Sequence, residues 1–262
     1  MLSEAQISLF VTHVGRFLQD HYPQHSRHVA VAVSGGVDSM LLMHLANELL
    51  RNGQIDSLRA ITVNHGTRKG QTRECETVKF EAERLELSCQ ILKLELGTIE
   101  SNVEETLRQK RHEALKAALE DGEELWMGHH LDDSWEWSQM QGARSSEVRS
   151  TLGIPMKSGA IVRPFMCVSR NQIVRCATAI AIRWMEDPTN GNARFERNWV
   201  RQTMKPMVDA RHPQFIKHYA RRSQTVAEEL GLALKTKKKP KFTISKAARS
   251  SKARSAQANS LN

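Results

Sequence analysis

The sequence predicts an α/β fold: a doubly wound parallel sheet with a small helical extension behind it. Three observations carry this expectation. Short β-branched apolar runs alternate with helical periodicity between residue 28 and about residue 142, the connections between them are short, and the first run passes through a two-glycine turn straight into a helix. Alternation of this kind marks parallel strands joined by helical crossovers.

The elements follow in order. A leading amphipathic helix is expected over 3–19, where Ser3 and Gln6 have capping-box spacing and Ile7, Phe10, Val14, Phe17 and Leu18 make one apolar stripe, ended by Tyr22-Pro23. HVAVAV (28–33) is almost continuously apolar and reads as a strand buried on both faces. MLLMHLANELL (40–50) reads as the next helix, stopped near Gly53. SLRAITVN (57–64) is a second strand, 72–87 a helix and CQILKLEL (89–96) a third strand. Ser101 and Glu104 open a helix to about Leu119, and ELWMGHH (124–130) is a fourth strand running into an acidic segment. Beyond Gly142 the pattern loosens. RSSEVRSTLGIPMKSG (144–159) is polar and loop-like, and helical patterns return near 169–182, 194–208 and 212–232.

Composition bounds the function. With 262 residues, 26% charged and 40% hydrophobic, the chain is globular and long enough to bury a core without a disulfide or metal staple. No apolar run approaches the roughly 18 residues of a membrane span. The first residues carry Glu4 and no basic stretch, so a secretory signal is not expected and a cytoplasmic location is. The net charge of +9 is localised, because residues 235–262 hold nine Lys and Arg and no Asp or Glu. Such a tail suits a polyanion, and a merely solvated tail is its plain alternative. Cys75, Cys89, Cys167 and Cys176 form no C-x-x-C pair, which leaves zinc ribbons and cysteine-held clusters without support. Free thiols, some of them in the core, are the expectation.

The most informative stretch is Ser34-Gly35-Gly36-Val37-Asp38-Ser39, directly after the first strand and before a helix. Two glycines let the backbone turn tightly and approach a ligand, and the helix N-terminus presents unpaired N–H groups to an anion. Ser34 and Ser39 add hydroxyl donors, and Asp38 suits Mg²⁺ beside phosphates. The stretch does not fit G-x-x-x-x-G-K-[ST].

The hexapeptide S-G-G-x-D-S resembles the pyrophosphate loop of the N-type ATP pyrophosphatases, the PP-loop ATPases with an adenine nucleotide alpha hydrolase-like fold. Within that superfamily, residues 28–222 resemble tRNA(Ile)-lysidine synthetases. The blocks carrying the resemblance are Asn64-His65-Gly66 with Arg68; Glu104, Arg108 and Arg111 as E-x-x-x-R-x-x-R; His130-Leu131-Asp132-Asp133; Arg163-Pro164-Phe165; Trp184 through Glu186-Asp187-Pro188-Thr189-Asn190; and Arg197-Asn198 with Arg201. The resemblance implies a PP-loop ATP-binding catalytic domain over 28–205, and the chain pattern adds a leading helix over 1–27, a helical extension over 206–234 and a basic, disordered tail over 235–262. The resemblance also implies a reaction. ATP adenylates carbon 2 of the wobble cytidine of a minor isoleucine tRNA, and the ε-amine of free L-lysine displaces AMP to form lysidine. Ser34, Gly35, Gly36, Val37, Asp38 and Ser39 would hold ATP, with Mg²⁺ on Asp38. The catalytic set would be Asp38, Asp133, Glu136, Arg197 and Arg201. His65, Glu104, Arg108, Arg111, His130, Asp132, Asp187 and Asn190 would bind substrate. A homodimer is compatible with the pattern and not demanded by it.

Spacing adds some detail. Asp133 and Glu136 are three apart and share a helical face, which suits a lysine ammonium. Arg197 and Arg201 are four apart and suit a phosphate, the lysine carboxylate or RNA. Plainer readings stand beside these: Asp132 as an N-cap, His129 packing or capping the strand end, the arginines as a solvated face, and Trp184 in the core. Departures from the family pattern are Ser134 for Gln, Trp137 for Thr, His112 for Tyr, and no glycine between Arg144 and Gly153. They keep open a tRNA-binding homologue with altered or lost catalysis, and a tRNA modifier using another nucleophile. A metal-dependent hydrolase built on His130 and Asp133 is a third rival.

Overall fold

The structure is a computed structural model that describes residues 4–64, 66, 71–94, 103–145, 147–186 and 196–232; for 4–7, Gln71, Val103 and Glu104 it describes the backbone alone. Its centre is a six-stranded sheet in the order β3-β2-β1-β4-β6-β5. Strands β1 (His28–Ala32), β2 (Ser57–Asn64), β3 (Cys89–Lys93), β4 (Glu124–Trp126) and β6 (Ile161–Val162) run parallel. Strand β5 (Lys157–Ser158) pairs antiparallel with β6 at the edge. From β1 the chain builds outward first to β2 and β3, then returns to β4 on the other side. The carboxyl ends of β1 and β4 therefore flank the switch point, where a parallel α/β sheet leaves a crevice for ligand.

The strands form where the apolar runs predict. Val29 and Val31 of β1 belong to the main core and Ala30 to a second core on the opposite face, so both faces of the strand are covered. Helix α1 (Glu4–His21) packs on α2 (Val37–Arg51). Helix α2 is buried nearly all round, from Val37 to Leu49, between α1, the sheet and α7 (Arg170–Ala179). Each Met or Leu so buried contributes about 1.5–3 kcal/mol. Helix α2 stops as predicted: Gly53 takes φ +67, and the next amide, of Gln54, closes on the Leu49 carbonyl at 2.9 Å. Helices α3 (Gln71–Arg84) and α4 (Val103–Ala117) complete the regular half. All four cysteines are free, and Cys75 and Cys176 are buried. Trp184 packs against the main core.

The second half departs from the sequence expectation. The fourth strand pairs only over Glu124–Trp126, shorter than the 124–130 run read from the sequence. The stretch read as loop over 144–159 contains helix α6 (Val148–Thr151) and strand β5. Two-residue strands show no alternation, so neither β5 nor β6 was legible. Helix α5 (Leu131–Arg144) follows β4. Later, α8 (Glu196–Trp199) runs through a π-helical turn, Val200–Met204, into α9 (Lys205–Arg211), and α10 (Phe215–Glu229) follows. Tyr219 of α10 packs with Trp135 and Val200 in a small third core. No described helix is long and apolar enough to cross a membrane.

Candidate active site

The loop after β1 is shaped by its own serines. The Ser34 amide donates to Ser39 Oγ at 3.0 Å, and Ser39 Oγ donates to the Gly36 carbonyl at 3.0 Å. Gly35 takes φ +86, a left-handed turn that favours glycine. No side chain caps α2, so the first amides of a buried helix face the crevice without a local acceptor. The loop is held from two sides. The Met185 amide donates to the Gly35 carbonyl at 2.9 Å. Gly128, just past β4, lies so close that a Cβ there would sit 3.0 Å from the Asp38 carbonyl carbon.

Asp38 is the second residue of α2, and its surroundings are unusual. Its Oδ1 is buried with no hydrogen-bond partner. His130 Nε2 stands 3.7 Å from Oδ1, and Arg170 Nη1 stands 3.5 Å from Oδ2. Burial pushes the carboxyl above its ordinary value, with His130 and Arg170 pulling the other way. An orphaned, desolvated carboxylate oxygen beside an anion cradle fits a divalent cation that shares its coordination with phosphate oxygens. The described residues hold no cluster of three His, Cys, Asp or Glu set to bind a metal. A metal-dependent hydrolase built on His130 and Asp133 therefore finds no ligand set there.

His130 is the N-cap of α5. It accepts from the Asp133 amide through Nδ1, while its own amide donates to Asp133 Oδ2. Asp132 does not cap its own helix. Its Oδ2 accepts from the Arg170 amide at 2.8 Å, the first turn of α7, and its Oδ1 pairs with Lys205 at 3.0 Å. Both residues thus fix helix positions around Asp38.

Asp133 and Glu136 share a face of α5, and Arg197 and Arg201 are brought to that face. Arg201 donates Nε to Glu136 Oε1 and Nη2 to Oε2, both at 2.7 Å. Arg197 donates Nε to Glu136 at 3.0 Å and Nη2 to Asp133 at 2.6 Å. Burial pushes the Asp133 carboxyl up, but His130, Arg197, His129 and Arg201 outweigh it and hold it at about 2. The phosphate, lysine carboxylate or RNA that spacing left open for these arginines is, in this state, replaced by the two acids.

A second group, of two arginines and two histidines, behaves differently. Arg111 of α4, His112, His129 and Arg163 gather beyond β4 and β6. Arg111 Nε, Arg163 Nε and His129 Nδ1 are buried without hydrogen-bond partners. Among the described residues no carboxylate forms an ion pair with Arg111 or Arg163. Burial lowers Arg163 to about 10. Burial, together with Arg163, Arg197 and Arg111, lowers His129 to about 3 against the pull of Asp133. Burial and the surrounding Arg111, Arg108 and Arg163 lower His112 to about 4. The positive charge of this group is that of Arg111 and Arg163. Arg108 points elsewhere and pairs with Glu105 at 3.0 Å on the surface.

His65, Asp187 and Asn190, the side chain of Glu104 and the tail lie outside the described residues. Sequence reasoning missed Arg170, Lys205, the Met185 amide and Gly128 as parts of the site. Only Arg170 had a local signal: Ser169 and Gln172 form a capping box that places it at a helix start.

A PP-loop domain family model matches residues 8–208. The chain is 30% identical to a tRNA(Ile)-lysidine synthase of Pseudomonas putida, over 77% of this chain and 48% of that protein. It is 32% identical to one of Pseudomonas fluorescens, over 78% and 47%, and 29% identical to one of Vibrio vulnificus, over 84% and 51%. The chain thus spans about half the length of these curated relatives. In fold it is similar to the U34-tRNA thiolase NcsA of Methanococcus maripaludis, with a TM-score of 0.69 at 19% identity, covering 92% of this chain and 85% of that one.

Proposed function

The chain belongs to the PP-loop domain family, and from that premise we propose that it uses ATP to join L-lysine to the wobble cytidine of an isoleucine tRNA in the cytoplasm. One observation supports the ATP half above all: an uncapped buried helix N-terminus at the switch point, with an orphaned Asp38 oxygen beside it. The amides from Val37 onward and the hydroxyls of Ser34 and Ser39 receive the phosphates. Asp38 would hold Mg²⁺, which supplies neutralising charge to them when bound. The cytidine carbonyl oxygen attacks the α-phosphorus, pyrophosphate leaves, and the lysine amine then displaces AMP from carbon 2.

Arg111 and Arg163, which form no ion pair with a carboxylate among the described residues, are suited with His129 to an anionic group of the RNA or of lysine. Asp133 and Glu136 receive the lysine ammonium by exchange. Their two negative charges are balanced by Arg197 and Arg201, so an incoming cation must displace one of these. Arg197, with 40% of its side chain exposed against 24% for Arg201, is the one free to leave. The nine bases beyond residue 234 add a nonspecific grip on tRNA. Deleting 235–262 weakens tRNA binding and flattens its salt dependence; unchanged affinity and slope would remove the tail from the account.

The experiment is to follow AMP from labelled ATP with tRNA and lysine present or omitted. AMP formation that needs both supports the proposal. The occupied state of Asp133 and Glu136 favours one alternative, a tRNA modifier with another nucleophile. It predicts AMP release that needs tRNA and is indifferent to lysine.

A further inference from the structure

Arg170 has no assigned role, and its geometry is that of a side chain waiting for a ligand. Its backbone is fixed. The Arg170 amide is held by Asp132 at 2.8 Å, the Ser169–Gln172 capping box closes the turn, and α7 packs along α2. Its guanidinium is not fixed. Forty per cent of the side chain is exposed, and among the described residues its contact is a single approach of Nη1 to Asp38 Oδ2 at 3.5 Å. The same molecule shows what a committed pair looks like: Arg201 grips Glu136 through two bonds of 2.7 Å. Arginine favours such two-pronged contacts with planar carboxylates and with phosphates. A monodentate contact at the limit of hydrogen bonding leaves most of the Arg170 donors unused among the described residues, beside Asp38 in the first turn of α2.

We propose that Arg170 binds the terminal phosphates of the nucleoside triphosphate and holds the pyrophosphate that leaves, releasing Asp38 as it does so. The inference rests on the ATP reading of the loop and goes beyond it by assigning this residue and this end of the ligand. In the free protein the guanidinium lies loosely against Asp38 and partly neutralises it. With nucleotide present it turns a short distance to the phosphates, and the Asp38 carboxylate is left to a cation. The α-phosphate and the adenosine are outside its role.

The test is titration calorimetry on the full chain with inorganic pyrophosphate, ATP and AMP, each with Mg²⁺, for the wild type, Arg170→Ala and Arg170→Lys. Losing a charged hydrogen-bonding partner should weaken pyrophosphate and ATP about tenfold or more in Arg170→Ala. Arg170→Lys should recover part of the loss, since it keeps the charge without the fork. AMP affinity and the ligand-free melting temperature should not change, because the Asp132 contact is to the backbone and survives both substitutions. Equal weakening of AMP and ATP would show that Arg170 merely shapes the site, and unchanged pyrophosphate affinity would overturn the proposal outright. A wild type that binds neither ATP nor pyrophosphate would overturn the ATP reading and this inference with it.

Discussion

Charges around the carboxyl ends of the strands are treated in two opposite ways. On α5, Asp133 and Glu136 meet Arg197 and Arg201 at hydrogen-bond distance, so that acid and base are both satisfied. At the head of α2, Asp38 is surrounded by His130, Arg170 and Arg201 and bonded closely by none of them. Beyond β4, Arg111 Nε, Arg163 Nε and His129 Nδ1 are buried without hydrogen-bond partners. A satisfied pair holds structure together, whereas an unsatisfied buried charge is a standing cost that a ligand of opposite sign relieves. The contrast separates charges that balance one another in the free protein, and must be exchanged by a ligand, from charges that stand open to one.

Substitutions should pull those two sets of charges in opposite directions. The largest effect belongs to Asp38. Asp38→Asn should cut pyrophosphate release by about a hundredfold or more, as removal of a charge-stabilising group does in other sites, with the melting temperature unchanged or raised because a desolvated carboxylate has gone. Glu136→Gln should do the reverse to stability. Removing one partner of a buried pair costs about 3–5 kcal/mol, and the partial exposure of both arginines puts this case near the lower end. Urea unfolding reads it directly, and an Asp38→Asn protein that unfolds as early as Glu136→Gln would erase the distinction.

A smaller loss is expected at the joint between α5 and α10. Gly153 takes φ +92, and a Cβ there would sit 2.1 Å from Tyr219 Oη and 2.7 Å from the Ser134 carbonyl oxygen. Tyr219 Oη donates to that same carbonyl at 2.9 Å. Gly153→Ala should therefore cost about 1–3 kcal/mol, through strain and the disturbed hydrogen bonds, measured by thermal unfolding. Wild-type stability in this variant would mean that α10 is not anchored through Tyr219.

A further effect, absent near neutral pH, is a slope in pH. His129 and His112 titrate at about 3 and about 4 in the folded protein, below the ordinary histidine value. The unfolded chain then binds these protons first. Stability is fully present above about pH 6.5 and falls as the pH drops toward 4. His129→Gln should make that decline shallower. An anion seated among Arg111, Arg163 and His129 should raise His129 and do the same, so an identical slope with and without added pyrophosphate or RNA would argue that the cluster is not an anion site.

Much of the regular half was legible in the sequence, for local reasons. Val29 to Val31 read as a strand buried on both faces, and Gly35-Gly36 between strand and helix as a tight turn. The helical spacing of Asp133 with Glu136 and of Arg197 with Arg201 was legible too. Their mutual pairing was not, because it joins residues some sixty positions apart through a return of the chain that no local pattern records. Asp132 shows the same limit. It has the chemistry of an N-cap and does cap a helix, but the helix is α7 and not its own, where His130 takes that place. Strands β5 and β6 escaped because two residues carry no period.

The most direct test of the proposed reaction is incorporation of labelled lysine into tRNA, with and without ATP, followed by mild alkali. Alkali removes an aminoacyl ester and leaves a lysidine carbon–nitrogen bond intact. Wild-type protein should give alkali-stable label that requires ATP and is lost in Asp38→Asn. Label that alkali removes, or none above the Asp38→Asn level, would contradict the assignment of lysine as the nucleophile.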